Sequence, residues 1–137
     1  MNVISYEEFK KTSAYESFAK ENPAMGLLKV QVFTAYNAIP IENTEVVISK
    51  DFGDTKVIFF RGVTDSSGII DNISLPAPSV NVSSYEAPEY TLYNLTAINV
   101  LYESIKQYLV GMFGNVKVIQ YVKMSPKTNE VINNYGN

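Results

Sequence analysis

Four aspartates in the middle of the chain, Asp51, Asp54, Asp65 and Asp71, come nearest to metal chemistry, because carboxylate and carbonyl oxygens are what a hard cation such as calcium prefers. Their spacing does not match an EF-hand loop, and each stands beside a turn-forming glycine or asparagine. Turn formation is therefore the reading of these residues, with a calcium cluster as its functional alternative. Glu42, Glu45 and Glu103 offer carboxylates for an acid and base pair of the kind that hydrolyses glycosides, yet nothing in the sequence brings them together. Ten tyrosines and no tryptophan make a third group. Tyr85, Tyr90 and Tyr93 cluster around one long connection and offer platforms for sugar rings, although tyrosine is also an ordinary strand residue.

What is missing limits the chemistry further. The chain has no histidine and no cysteine. That removes the commonest general base, the commonest zinc ligands, every Ser/His or Cys/His nucleophile arrangement and any disulfide. No catalytic residue, metal or cofactor is expected, and a hydrolase would need a convergent acid pair in a cleft.

Charge and hydropathy narrow the partners. With 11 basic and 14 acidic residues, a net charge of -3 and scattered lysines, the chain has no electrostatic footprint for nucleic acid. No run approaches the roughly 18 consecutive apolar residues of a membrane span, so none is expected. The start, "MNVISYEEFKK", has acids and lysines where a cleaved signal needs a basic start and then an apolar run. Synthesis in the cytoplasm without a signal peptide is the expectation, with incorporation into a spore envelope or a virion left open.

The elements that must position these residues are mostly strands. At 137 residues, 46% hydrophobic, the chain has the size and make-up of one globular domain. Ser5 followed by Glu8 fits a capping box, and Pro23 marks a stop, so residues 1–25 read as an N-terminal helical arm. Its apolar residues Tyr6, Phe9, Ala14, Tyr15 and Phe18 spread around the circumference instead of forming one stripe. They leave two alternatives, an arm packed on its own domain and an arm docked on another subunit.

From Gly26 the period changes to two, and "LLKVQVFTA", "TEVVISK" and "TKVIFFRGV" read as strands, the last apolar on both faces and so central. "DFGD" is a hairpin signal with Gly53 free to take positive φ. "TDSSG" is a tight turn, "IIDNISL" a short strand, and the prolines of "PAP" end its pairing. "YTLYNLTAINV" and "ESIKQYLVGMF" follow, with Gly111 as a candidate bulge. A turn at "GN" leads into "VKVIQYVKM", where Lys117 and Lys123 read as charges that blunt an edge. The residues expected to be buried are Val30, Val32, Val46, Ile48, Val57, Phe59, Ile73, Leu75, Leu92, Val116 and Val118. Residues 127–137 form a polar tail. The fold class expected is mainly β, a seven-stranded antiparallel sandwich with one short N-terminal helix.

The order "GLLKVQVF", "IPIENTEVVIS", "TDSSGIIDNISLPAP" and "VKVIQYVKMSP" resembles the carboxypeptidase regulatory-like, transthyretin-like (prealbumin-like) sandwich domains, over about residues 25 to 126. The resemblance is to versions in small proteins and spore cortex-lytic enzymes of spore-forming Firmicutes, where such domains sit beside peptidoglycan-binding modules. It implies a non-catalytic module of residues 26–126 acting near peptidoglycan or the spore or cell envelope. Hydroxyisourate hydrolase, an enzyme branch of that fold, relies on histidines that this chain lacks. The alternative function is a structural subunit of a larger assembly, such as a phage particle or surface fibre. The expected partner is a protein or a cell-wall glycan, or further copies in a homo-oligomer or filament. The candidate partner-facing residues are Tyr85, Tyr90, Tyr93, Tyr6, Phe9, Tyr15 and Phe18.

Overall fold

Alternation of apolar and polar residues builds two sheets, seen in a computed structural model that describes residues 1–36, 38–80 and 87–127. Chain order is β1 (Asn2–Ser5), α1 (Tyr6–Phe9), α2 (Ala14–Glu21), β2 (Ala24–Thr34), β3 (Glu45–Phe52), β4 (Thr55–Val63), β5 (Ile69–Ala77), β6 (Thr91–Ile98), β7 (Ile105–Met112) and β8 (Lys117–Met124). One sheet runs β1-β4-β3-β6-β7 and the other β5-β2-β8. The protein is a β-sandwich.

It departs from expectation in three ways. There are eight strands among the described residues, because β1 lies parallel to β4, with Asn2 opposite Thr55. The pairing is mixed, because β2 and β8 are also parallel. The single N-terminal helix is two short ones. Ser5 does cap the first, its hydroxyl oxygen accepting from the Glu8 N–H at 3.1 Å. The turn after Phe9 then redirects the chain, with Thr12 donating its hydroxyl to the Phe9 carbonyl at 2.7 Å.

The core lies between the sheets. Leu28, Val30 and Val32 from β2 and Ile73, Leu75 and Ala77 from β5 meet Val46, Ile48 and Val57 from the larger sheet, all buried. Burying a side chain of this size is worth about 1.5–3 kcal/mol. Seven of the expected core residues, Val30, Val32, Val46, Ile48, Val57, Ile73 and Leu75, lie there, and Phe59 and Val118 pack against it half-buried. Leu92 and Val116 are exposed. In β6 both faces carry apolar residues, and pairing with β3 turns Tyr93, Leu95 and Ala97 inward instead of Leu92. Val116 belongs to the turn before β8, where Asn115 takes φ 59°.

The stretch between β4 and β5 is fixed by its turn. Asp65 Oδ1 accepts from the N–H groups of Ser67 and Ile69, both at 2.9 Å, and Gly68 takes φ 72°. β5 continues through Pro76, which stands opposite Met25 and is tolerated because β5 is an edge strand. The register irregularity of the β6–β7 pair falls between Leu95 and Ala97, not at Gly111, which pairs in register with Leu92. β4 is interior to its sheet, as its two apolar faces predict, and it is β1 that makes it so.

Candidate functional site

The N-terminal aromatics are consumed by their own domain. Tyr6 stacks on Phe59 with centroids 4.6 Å apart, Phe9 meets Phe52 at 4.4 Å, and Phe18 meets Phe52 and Phe59 at 5.3 and 5.6 Å. Phe9 and Phe18 are buried, and Tyr6 and Tyr15 are half-buried against the same cluster. The spread of these residues around one helical circumference has a physical reason: they belong to two short helices separated by a turn, each of which buries its own aromatics. These four therefore cover the inner face of β4 and its neighbours and do not present a free apolar stripe.

Tyr93 is also inside. Its ring stands edge-on to Phe59 at 5.0 Å, and its hydroxyl donates to the Pro76 carbonyl at 2.5 Å. Burial pushes that hydroxyl far above the ordinary phenol range. Tyr85 lies outside the described residues. Tyr90 alone of the three is both described and exposed, at 55%.

Tyr90 marks a groove. Its ring rests over Gly111, where an added Cβ would come within 3.4 Å of it, and is braced by Phe113 with centroids 5.7 Å apart. Two adjoining concavities share Glu21, Tyr90 and Thr91: one of about 710 Å³ reaches Lys20, Pro78 and Glu89, and one of about 560 Å³ reaches Ser17, Lys50 and Phe52. Asn22 fastens the helical wall to the sheet. Its side-chain amide donates to the Phe18 carbonyl at 2.9 Å, and its side-chain oxygen accepts from the Thr91 hydroxyl. Lys50 donates to the Leu92 carbonyl at 3.0 Å, and partial burial holds its ammonium below the usual lysine range against the opposing pull of Asp51 and Glu21. The groove thus offers one aromatic face, two ammonium groups and two carboxylates. That set suits stacking and hydrogen bonding to a polar ring.

The acids read from the sequence are dispersed. Asp65 forms the turn described above. Asp71 accepts from the Asn72 N–H at 2.8 Å and pairs with Lys117 at 3.2 Å, which hold its carboxyl below the usual range in that order of weight. Asp51 is exposed one residue before the end of β3, and Asp54 follows Gly53, whose φ is 60°, in the hairpin. Among the described residues no three acidic side chains gather as a metal site would require. Glu45 pairs with Arg61 at 3.0 Å, Glu42 lines a loop-end cavity of about 430 Å³, and Glu103 donates its backbone N–H to the Ser125 carbonyl. No hydrogen bond joins any two of these glutamates among the described residues. Lys20, Glu21, Lys50 and Glu89 escaped the sequence reading because three distant segments supply them. Among the described residues no helix is long and apolar enough to cross a membrane.

No family model and no curated protein sequence matches the chain. Among solved structures it is similar to a 3-chlorocatechol 1,2-dioxygenase from Rhodococcus opacus 1CP, with TM-score 0.51 and 8% identity over 76% of this chain and 60% of that one. The shaft pilin SpaA from Lactobacillus rhamnosus GG gives TM-score 0.49 and 16% identity over 77% of this chain and 51% of that one. A 5-hydroxyisourate hydrolase from Klebsiella pneumoniae gives TM-score 0.42 and 15% identity over 74% of this chain and 92% of that one. The chain spans less than two thirds of the first two. At 8% identity the likeness is one of fold alone.

Proposed function

We propose that this chain is a non-catalytic β-sandwich module that binds a glycan of peptidoglycan, or of the spore or cell envelope, in the groove beside Tyr90. The observation that carries the reading is an exposed aromatic ring, braced from behind, at the junction of two concavities lined by Lys20, Glu21, Lys50 and Glu89. The transthyretin-like resemblance of residues 25 to 126 adds the envelope context. Sugar rings bury their apolar C–H faces on aromatic side chains and satisfy their hydroxyls with mixed charged and amide groups, which is what the groove provides.

Sedimentation with insoluble peptidoglycan from spores and from vegetative cells tests this. The protein is expected to pellet with the polymer and stay in solution without it, and Tyr90→Ala is expected to lose most of the pelleted fraction while keeping its melting temperature. Equal pelleting of Tyr90→Ala would remove the groove from the account. No pelleting with either polymer would end the envelope reading.

A second reading, a subunit of a phage particle or surface fibre, draws on the sheet edges, since β7 and β8 each end a sheet. Pelleting of the protein alone is its expected signature.

A further inference from the structure

β8 pairs along its whole length with β2, from Lys117 opposite Leu27 to Met124 opposite Thr34, and no strand flanks its other side among the described residues. The hydrogen bonds at its two ends fix which way its backbone points. The carbonyls of Val116 and Met124 accept from the N–H groups of Leu27 and Ala35 at 3.0 and 3.1 Å. Peptide groups alternate sides along a strand, so the even-numbered residues face β2, and Lys117, Ile119, Tyr121 and Lys123 turn their N–H and C=O groups outward. The Gln120 side chain donates to the Tyr121 carbonyl at 3.0 Å, as an outward carbonyl allows. No bulge or proline interrupts this edge, since Pro126 comes after it.

The side chains of the same four residues lie on the outer face. Ile119 is 48% and Tyr121 54% exposed, and Tyr121 meets Phe33 edge-on at 6.1 Å to form an apolar ledge. Lysines bound that ledge. The three strands of this sheet carry Lys29, Lys117 and Lys123 against a single carboxylate, Asp71, in a chain whose acids outnumber its bases 14 to 11.

We propose that β8 is an acceptor edge for an extended acidic segment of a partner protein, which adds as a fourth strand with carboxylates opposite Lys117 and Lys123 and apolar side chains opposite Ile119 and Tyr121. Main-chain bonds supply the pairing and the lysines select the sequence. A second copy suits the edge less well, because antiparallel pairing of β8 with itself about Gln120 sets lysine against lysine at both ends. β7 touches β8 and ends the opposite sheet on the same side of the sandwich. Tyr108, on the core side of β7 opposite Leu95 yet 39% exposed, is the ring that the added strand's inward side chains would cover.

The probe is the blocked heptapeptide Glu-Thr-Val-Thr-Tyr-Thr-Glu, titrated into the isotopically labelled full chain and followed by amide NMR. Shifts and slowed exchange are expected at the amides of Ile119, Tyr121 and Lys123. The same peptide N-methylated on alternate residues should not bind. The double variant Lys117→Gln, Lys123→Gln should bind the parent peptide about tenfold more weakly. If that variant does not fold, the N-methylated peptide decides alone. Absence of shifts on β8 up to millimolar peptide would overturn the proposal, as would equal binding of the N-methylated peptide, which would mean charge attraction without strand addition. Concentration-dependent shifts on β8 without peptide would assign the edge to a second copy and overturn it too. None of these amides belongs to a residue that lines the groove at Tyr90, so this test and the peptidoglycan test fail separately.

Discussion

The hydroxyl of Tyr93 is a polar atom inside an apolar core, satisfied by one backbone carbonyl, that of Pro76. Tyr93→Phe keeps the ring against Phe59 and removes that bond, leaving the carbonyl without it. A loss of about 0.5–1.5 kcal/mol is expected in urea unfolding. The same hydroxyl and that of Tyr6, which burial beside Tyr15 pushes up to about 12, set an alkaline limit on the fold. Unfolded tyrosines release their protons near pH 10, while these two hold theirs in the folded chain. Above about pH 10 the unfolded state therefore binds fewer protons, and stability falls as pH rises. The urea midpoint should be insensitive to these tyrosines at neutral pH and drop from about pH 10 upward, less steeply in Tyr6→Phe and Tyr93→Phe. An unchanged alkaline slope in both variants would contradict this assignment.

Elements decide more of the stability than any one residue. The turn between β4 and β5 brings Gly68 so close to β2 that an added Cβ would sit 2.3 Å from the Val32 carbonyl, in a conformation with positive φ. Gly68→Ala should cost at least the ~1–3 kcal/mol of a strained left-handed residue, read as a fall in melting temperature. The helical segment is equally integral, since Phe9 fills the space between β4 and Phe52. Phe9→Ala should cost about 3–5 kcal/mol, and removal of residues 1–22 should expose Phe52, Phe59 and Tyr93 and give a dye-binding, aggregating protein. A truncated chain that melted like the intact one would show that the segment is an appendage.

Elements are also the scale at which the sequence was readable. Seven strands announce themselves by alternation and by the turns at Gly53, Asp65 and Asn115, because those signals are local. β1 has only four residues, three of them exposed and Ile4 partly so, and its strand character comes from β4 about fifty residues away. The expectation that Leu92 is buried fails for the same reason: Leu92 and Tyr93 are both good strand residues, and pairing with β3 turns Tyr93 inward. The candidate site was legible in one residue, Tyr90. Glu21, Lys50 and Glu89 carry no mark of their shared groove, because only the sandwich closes the distances between them.

At the scale of the whole molecule, the smaller sheet joins the chain's early and late parts. β2 and β8 run parallel, with Leu27 opposite Lys117. No hairpin can nucleate such a pair, so loop-closure entropy must be met before any of its contacts form. Folding dominated by such distant pairings falls in the millisecond-to-second range typical of all-β domains, and stopped-flow refolding from urea is expected there. A chain still being synthesised cannot complete the smaller sheet until β8 has been made. Until then Leu28, Val30 and Val32 lack the Val122 and Met124 side of their core. The nascent protein thus carries an unfinished apolar strand from the making of β2 until β8 arrives as its latch, and that interval is when it is most exposed to aggregation.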